Sequence, residues 1–190
     1  MRIVSGRWRG RIISAPTDRR VRPTADRVRE SWMSILQYEL PGAHVLDLFA
    51  GSGALGLEAL SRGAERTEFV ELSRRSLIAL RRNIASLDAG DASVVHQGDA
   101  VRFVERLAPG AFDLAFADPP YDMGLAERIA ACWHAVPFAT VLAVEHSIRE
   151  PLSHAGDLRR YGDTAITIFR RTAPRDSHAP PDPATRLPHP

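Results

Sequence analysis

Hydrophobic residues in the middle of the chain occur in short runs that are separated by stretches with helical spacing. The runs are rich in branched and aromatic side chains and cover residues 45–49, 67–71, 93–96, 112–117 and 141–145. Such runs are typical of strands that are buried on both faces of a sheet. Between them, apolar residues recur every three or four positions, as expected of helices that cover a sheet. The alternation predicts an α/β fold with a doubly wound, mostly parallel, Rossmann-like sheet.

The beginning of the chain departs from this alternation. Residues 2–6 and 11–14 flank a glycine-bounded turn, which predicts a small basic β-hairpin. After a proline-containing loop, Thr24 is expected to cap a helix whose apolar positions continue until Pro41 stops it. We therefore predict a basic N-terminal hairpin and loop over residues 1–23.

The C-terminal part also differs from the alternation. Residues 158–161 and 165–169 flank Gly162-Asp163 without room for a crossover helix, which predicts an antiparallel hairpin that closes the sheet. Residues 172–190 contain six prolines and almost no large apolar side chain, a composition typical of disordered tails. The main domain is therefore predicted to span residues 24–171.

The composition is that of a globular protein, with 44% hydrophobic and 25% charged residues. No apolar run approaches the roughly 18 residues of a membrane span, and the start of the chain lacks the apolar core of a secretory signal. We expect a cytoplasmic protein that acts as a monomer and does not bind a membrane.

The single cysteine, Cys132, lies in a predicted helix and is expected to be a small buried side chain rather than a nucleophile. One thiol is too few for a disulfide within the chain or for a cysteine-based zinc site, and we expect no metal. Enzymes that methylate a pyrimidine ring carbon usually need a reactive cysteine, so their chemistry is not favoured here.

Positive charge is concentrated at the start of the chain. Residues 1–30 hold nine arginines against three carboxylates, although the net charge of the whole chain is only +2. All 25 basic residues are arginines. A concentrated arginine segment ahead of a net acidic domain is typical of an edge that binds a polyanion.

A glycine-rich loop follows the first predicted strand. Asp47 precedes the pattern Gly51-x-Gly53-x-x-Gly56, in which glycines let the backbone approach a ligand closely. The pattern fits both NAD and S-adenosylmethionine and does not distinguish between these cofactors. Asp47 is placed to accept hydrogen bonds from a cofactor ammonium group, from loop amides, or from both.

Two acidic residues at later strand ends fit the same cofactor site. Glu71 closes the second predicted strand and is placed to accept hydrogen bonds from ribose hydroxyls, which either cofactor carries. Asp99 follows the third predicted strand and is placed to meet an adenine amino group, a layout that is more typical of methyltransferases.

The segment Asp118-Pro119-Pro120-Tyr121 follows the fourth predicted strand, where open α/β sheets place their ligand crevice. An amine attached to a nucleobase is a poor nucleophile because it shares its lone pair with the ring. The Asp118 carboxylate and the Pro119 carbonyl are acceptors that can align its two N–H bonds. The prolines stiffen the loop, and Tyr121 offers a flat surface for stacking a base. We predict methyl transfer from S-adenosylmethionine to a ring-attached amino group of a base that is extruded from its stack.

Taken together, these segments resemble the bacterial enzymes that methylate N2 of a guanine in 16S ribosomal RNA. The resemblance covers residues 2–171 and is most specific in two segments, RPTADRVRE at 22–30 and DLFAGSGALGLEALSRGA at 47–64. It implies a class I methyltransferase sheet and S-adenosylmethionine as the cofactor. The implied partner is small-subunit RNA in an assembly intermediate that already carries ribosomal proteins.

The motifs and the resemblance assign a role to individual residues. The cofactor-binding residues are expected to be Asp47, Phe49, Gly51, Gly53, Glu71, Asp99 and Ala100. The residues that hold the target guanine are expected to be Asp118, Pro119, Pro120 and Tyr121. The residues that contact RNA are expected to be Arg7, Arg9, Arg11, Arg22, Thr24 and Arg27.

Three other interpretations remain open on the sequence. Methylation of DNA adenine or of a protein glutamine uses the same kind of motif as the 118–121 segment. An NAD-dependent oxidoreductase would share the glycine pattern, but the sequence contains no evident site for hydride chemistry. A binding module that keeps cofactor affinity without turnover is the third interpretation.

Overall fold

The computed structural model of the chain describes residues 1–14 and 23–171. The predicted RNA contact Arg22 and the predicted tail at 172–190 lie outside the described residues. The side chains of Thr24 and Arg27 lie outside them as well, because only the backbone of that helical turn is described.

The described part of the chain forms a single seven-stranded sheet with the strand order β3-β2-β1-β4-β5-β7-β6. The strands are β1 (His44–Leu48), β2 (Arg66–Glu71), β3 (Ser93–Gln97), β4 (Phe112–Ala117), β5 (Ala139–Ser147), β6 (Asp157–Tyr161) and β7 (Thr164–Arg170). The first five strands pair in parallel, and β7 pairs antiparallel with both β5 and β6. The predicted doubly wound sheet with a C-terminal antiparallel hairpin is therefore confirmed.

Helices cover both faces of the sheet. They are α1 (Pro23–Ile35), α2 (Ala54–Ser61), α3 (Arg74–Ser86), α4 (Ala100–Val104) and α5 (Leu125–Ala135). One apolar core contains residues of α1, α2 and α3, and a second core on the other face contains residues of α4 and α5. Within the described residues, no helix has both the length and the apolar character that crossing a bilayer requires.

The first helix differs from its prediction at both ends. It begins at Pro23, so Thr24 lies inside the first turn and is not the N-cap. Proline suits the first helical position because that residue needs no amide hydrogen there. The helix ends at Ile35, before Pro41, and the chain continues through a turn in which Leu36 is fully buried.

The predicted N-terminal hairpin forms only one bridge between strands, Arg2 to Ile12. Its ends are joined by hydrogen bonds from Ile3 N to Arg11 O at 3.0 Å and from Gly10 N to Ile3 O at 2.9 Å. Nearer the tip, Arg7 N donates to Ser61 O of α2 at 2.8 Å instead of to the opposite arm. The two arms therefore pair antiparallel as predicted but do not form regular strands, because α2 takes the amides that a longer ladder would use.

The N-terminal segment is anchored to α2 by a buried carboxylate. Glu58 is 1% exposed, and its two oxygens accept hydrogen bonds from Val4 N at 2.8 Å and Ser5 N at 3.0 Å. Arg62 Nε also donates to Glu58 Oε1 at 2.8 Å and balances its charge. Apolar side chains of the segment, such as Ile3, belong to the core that α2 and α3 share.

Replacing Glu58 with alanine should release the N-terminal segment, because the amides of residues 4 and 5 would lose their acceptors. An unpaired amide donor in such a setting costs ~1–3 kcal/mol, so we expect the free energy of unfolding to fall by roughly 2 kcal/mol. Hydrogen exchange should speed up at residues 4 and 5. Glu65→Ala, on the exposed turn after α2, is the matched control and should change neither quantity. Unchanged exchange at residues 4 and 5 in Glu58→Ala would contradict the anchoring role.

Candidate active site

The loops that carry the predicted site residues meet at one edge of the sheet. Strands β1 to β5 are parallel, so their carboxyl ends all point to the same edge. The loop after β1 carries the glycines, and the loop after β4 begins at Asp118. Since β1 pairs with both β2 and β4, it stands at the point where the order of strands reverses, which is where such sheets bind ligands.

The glycine loop after β1 has an unusual backbone. Phe49, Gly51 and Gly53 have φ angles of 60°, 58° and 82°, all in the left-handed region. The strand β1 ends at Leu48, one residue earlier than predicted, because Phe49 leaves the extended conformation. A bulky residue with a left-handed backbone is strained. A side chain at position 53 would place its Cβ 2.4 Å from Leu80 Cδ1 of α3. The loop therefore packs directly against α3, and its backbone is what it presents to a ligand.

The Glu71 carboxylate at the end of β2 holds this loop in place. Gly51 N donates to Glu71 Oε2 at 2.7 Å, and Ser73 N donates to Glu71 Oε1 at 2.6 Å. Each carboxylate oxygen has two lone pairs, so both oxygens keep capacity to accept a further hydrogen bond. The contact of Glu71 with ribose hydroxyls stays a prediction, and its role in shaping the loop is an addition to it.

Asp47 is a buried acidic group beneath the glycine loop. It is 1% exposed, and its Oδ2 accepts a hydrogen bond from Gly56 N at 2.9 Å. Burial raises the pKa of Asp47 well above its ordinary value of 3.8. The Gly56 hydrogen bond lowers this pKa, and the charges of Asp118 and Glu71 raise it further. Three carboxyl groups are therefore close enough to influence one another at this edge of the sheet.

Asp99 and Ala100 lie where β3 leads into α4. Asp99 is the N-cap of α4, and its Oδ1 accepts a hydrogen bond from Arg102 N at 2.8 Å. Its side chain is otherwise exposed, whereas Ala100 is buried. The amide groups in the first turn of a helix have no acceptor within that helix and point outward from its start. An adenine contact through Asp99 and Ala100 stays a prediction.

The Tyr121 side chain is tied to two neighbouring strands. Its hydroxyl donates to Glu145 Oε1 of β5 at 2.7 Å and lies 3.0 Å from Thr164 Oγ1 of β7. Burial raises the pKa of Tyr121 above its ordinary value of 10.0; the Thr164 hydrogen bond opposes this effect, and Glu145 adds to it. In the same loop, Pro119 is buried and Asp118 is half-buried. The tyrosine ring is thus held at a defined position beside the two acceptors of the 118–119 segment.

Sequence reasoning missed Glu145 and Thr164. Both lie on strands that pair antiparallel, with Glu145 opposite Ile166 and Ser147 opposite Thr164. A carboxylate at the end of an otherwise apolar run was the only signal of Glu145 in the sequence. Nothing in the sequence indicated that Tyr121 would be its partner.

The N-terminal arginines do not lie at the 118–121 loop. Arg7 contacts the C-terminal end of α2 through its amide, and its guanidinium lies 4.0 Å from the centre of the Trp8 ring. Arg11 Nη2 donates to Ser86 O at the C-terminal end of α3 at 2.5 Å. The C-terminal end of α2 lies about 12 Å along the helix from the glycine loop that precedes it. The last turn of α3 is closer to that loop, because Asn83 Nδ2 donates to Ser52 O at 2.9 Å. Arg7, Arg9 and Arg11 are exposed, so their guanidinium groups are accessible to RNA phosphates.

Cys132 is half-buried on α5 and is not fully buried as predicted. Burial raises the pKa of its thiol, as does the charge of Glu105, while Arg128 lowers it. A thiol with a raised pKa carries less thiolate at neutral pH. The environment of Cys132 therefore does not activate it as a nucleophile.

Comparisons with known proteins point to a single group. The family model described as conserved hypothetical protein 95 matches residues 1–170. "Ribosomal RNA small subunit methyltransferase D" of Escherichia coli strain K12 is 42% identical over 128 residues, which are 67% of this chain and 64% of that protein. The protein of the same name from Haemophilus influenzae is 37% identical over 130 residues, which are 67% of each chain. In these alignments the chain spans about two thirds of the length of its relatives.

A solved structure matches over most of the chain. The "putative methyltransferase yhhF" from Escherichia coli has a TM-score of 0.78 and 34% sequence identity. The match covers 92% of this chain and 99% of that chain.

Proposed function

We propose that this chain, which belongs to the family described as conserved hypothetical protein 95, transfers a methyl group from S-adenosylmethionine to the N2 amine of a guanine in 16S ribosomal RNA. The family membership bears out the resemblance carried by residues 22–30 and 47–64. The observation that carries the proposal is the arrangement at the end of β4. There, Asp118 and Pro119 lie beside a tyrosine that Glu145 and Thr164 hold in place.

The glycine loop fits S-adenosylmethionine better than NAD. Pyrophosphate binding needs loop amides that are free to donate to phosphate oxygens. Here the Gly51 amide donates to Glu71 and the Gly56 amide donates to Asp47, so two carboxylates occupy these donors. The acidic edge would repel a pyrophosphate and attract a sulfonium or an ammonium group. The residues therefore fit a cationic cofactor that has no phosphate.

The residues of the chain supply alignment rather than a strong base. When bound, S-adenosylmethionine supplies an electrophilic methyl group on a positively charged sulfur. The Asp118 carboxylate and the Pro119 carbonyl accept hydrogen bonds from the two N–H groups of the amine. These hydrogen bonds orient the nitrogen so that its lone pair is no longer shared with the ring. Tyr121 presents its ring face to the base, and the two prolines, of which Pro119 is buried, limit movement of both acceptors. Well-oriented reactants recover on the order of 7–11 kcal/mol of a bimolecular barrier.

Several observations favour RNA as the substrate. The arginines of the N-terminal turn form an exposed basic surface, which suits phosphates. Two relatives carry the name "Ribosomal RNA small subunit methyltransferase D", and their identity to this chain exceeds 35%. We propose that the partner is a small-subunit assembly intermediate in the cytoplasm and that the enzyme acts on it as a monomer.

The decisive experiment maps modified bases in 16S ribosomal RNA by mass spectrometry, with and without the gene. We expect one N2-methylguanine to be lost in its absence and restored by the purified protein with S-adenosylmethionine. In vitro, small-subunit particles, naked 16S RNA, DNA and a protein substrate should be compared for transfer of a labelled methyl group. Transfer to adenine in DNA or to a protein glutamine would overturn the RNA assignment. A rise in melting temperature with NAD but not with S-adenosylmethionine would overturn the assignment of S-adenosylmethionine as the cofactor.

Replacing Tyr121 with phenylalanine should lower kcat/KM by roughly tenfold while leaving the affinity for S-adenosylmethionine unchanged. The ring would remain, but the hydrogen bonds to Glu145 and Thr164 would be lost; a bond to a charged group contributes ~1.5–3 kcal/mol. Because the pKa of Tyr121 is raised, the hydroxyl stays protonated, and kcat should not fall as pH rises toward 10. A fall near pH 10 in the wild type that is absent from Tyr121→Phe would contradict this assignment.

A further inference from the structure

We propose that α3 carries a second RNA-binding surface, a stripe of arginines that contacts phosphates of the same substrate RNA. This inference rests on the proposed function. It concerns residues far from the N-terminal arginine segment in the sequence and outside the glycine and 118–121 motifs. The proposed surface, called the α3 stripe below, consists of Arg74, Arg75, Arg81 and Arg82.

The α3 stripe follows from helix geometry. Its four arginines are exposed and fall at positions i, i+1, i+7 and i+8, so two turns of the helix separate two arginine pairs on one face. Leu77, Leu80 and Ile84 are buried on the opposite face against the sheet. The helix contains no acidic residue. All charged side chains on its solvent face are therefore positive.

Most of these charges lack a balancing carboxylate within the described structure. Ion pairs elsewhere join exposed arginines to acidic groups, as for Arg159 with Asp157 and Arg170 with Glu39. Among residues 1–14 and 23–171, no such pair involves Arg74, Arg81 or Arg82. Their charges are therefore available to an external anion.

The position of Arg74 and Arg75 is unfavourable for the helix itself. They lie in the first turn of α3, where the helix dipole favours acidic groups and disfavours cations. The charge that Arg74 places against the dipole is explained if phosphates cover this face. Leu72, just before the helix, is 66% exposed, and Ile78, between the two arginine pairs, is 54% exposed, so both side chains are accessible to the bases of the same strand.

The α3 stripe is continuous with the N-terminal arginines. Arg11 Nη2 donates to Ser86 O at the last residue of α3. One turn earlier, Asn83 Nδ2 donates to Ser14 O and to Ser52 O, both at 2.9 Å. The start of α3 adjoins Glu71, whose oxygen accepts from Ser73 N. The helix α3 therefore extends about 20 Å from the end of β2 to the N-terminal segment, and the α3 stripe covers about 12 Å of that length.

The continuity favours RNA over a protein partner. An RNA strand presents a regular series of phosphates, which matches paired arginines repeated along one line. A path along α3 would join the proposed target-base site at the sheet edge to the exposed arginines near the C-terminal ends of α2 and α3.

The test is the salt dependence of binding to naked 16S ribosomal RNA, measured by filter binding with Arg81→Gln/Arg82→Gln. We expect the dissociation constant to rise roughly tenfold, and the slope of log K against log salt to become less negative by about 1.4, since each single-strand contact contributes about 0.7. KM for RNA should rise while the dissociation constant for S-adenosylmethionine stays unchanged. Arg81→Lys/Arg82→Lys keeps the charge and should retain the wild-type slope.

Arg106→Gln/Arg128→Gln is the matched control. It removes the same charge from exposed positions in the turn after α4 and on α5, the two helices that cover the other face of the sheet. Equal loss of binding in both glutamine variants, or an unchanged slope in the α3 variant, would overturn the inference. So would a defect confined to particles that carry ribosomal proteins, which would indicate a protein partner. The proposed function would be overturned instead if the wild-type enzyme bound 16S RNA with a steep dependence of its affinity on salt but methylated no guanine.

Discussion

Replacing Asp118 with alanine should lower kcat for methyl transfer by roughly 10²–10³-fold, the size of effect seen when one preorganised polar group is removed from a transition-state site. In the proposed reaction, the carboxylate would accept a hydrogen bond from one N–H group of the amine and favour the geometry in which the nitrogen regains its lone pair. The Pro119 carbonyl would remain, but one acceptor cannot fix the direction of both N–H bonds. The affinity for S-adenosylmethionine should be kept, because the glycine loop is held by Glu71 and Asp47.

Single-turnover kinetics with small-subunit particles would separate this effect from RNA binding. Asp118→Asn keeps one oxygen acceptor and should retain more activity than the alanine variant. Asp91→Ala, at an exposed acidic residue in the turn before β3, is the control and should keep wild-type rates. An Asp118→Ala enzyme with a rate within twofold of wild type would remove Asp118 from the reaction.

Replacing Asp47 with asparagine should stabilise the free protein while weakening its affinity for S-adenosylmethionine about 10–100-fold. The asparagine oxygen can still accept the Gly56 amide, so the loop keeps its hydrogen bond. The variant removes the cost of burying a charge next to Asp118 and Glu71. It also removes the charge that would meet the cofactor ammonium, a contact of ~1.5–3 kcal/mol. Calorimetric titration and thermal unfolding measure the two effects; each kcal/mol recovered corresponds to a Tm rise of about 2–4 °C.

The stabilising effect should depend on pH in a defined direction. The native pKa of Asp47 is raised, so the native state holds this proton more tightly than the unfolded state does. The contribution of Asp47 to the free energy of unfolding is therefore fully present below the ordinary value of 3.8 and is lost as pH rises toward the native pKa. Asp47→Asn should lack this loss, so its advantage over wild type should grow from pH 4 to pH 8. A variant that is less stable than wild type at pH 8 would contradict the buried-charge account.

A substitution that raises the stability of the protein but lowers its affinity for a ligand is typical of residues retained for function. Asp47 lies in a position where an uncharged side chain would suit the folded protein better. A cationic ligand reverses this preference, since it offsets the charges of all three carboxyl groups at the edge. The same argument applies to Phe49, whose left-handed backbone is costly and lies in the loop that faces the proposed cofactor.

The order of strands and helices was determined by the sequence alone. A strand buried on both faces and a helix covering it impose different periods on the chain, and both periods are local properties. Predicted strand limits such as 112–117 agree with the structure, and the hairpin around Gly162 is confirmed. The position of the candidate-site loops could also be predicted, because parallel strands bring their carboxyl ends to one edge of the sheet. Their order along the chain is the order of the motifs.

The partners of the charged groups were decided only by the tertiary structure. Glu58 meets the amides of residues 4 and 5, and Glu145 meets Tyr121, across separations of 24 residues or more in the chain. Two predictions differed from the structure because they depended on which element packs nearby. The N-terminal arms do not form regular strands, since α2 accepts hydrogen bonds from their amides, and Cys132 is only half-buried, at the edge of the second core. The α3 stripe became visible only once its neighbours were known. Periodicity reports which face of an element is buried, whereas a hydrogen bond or an ion pair depends on which other element packs beside it.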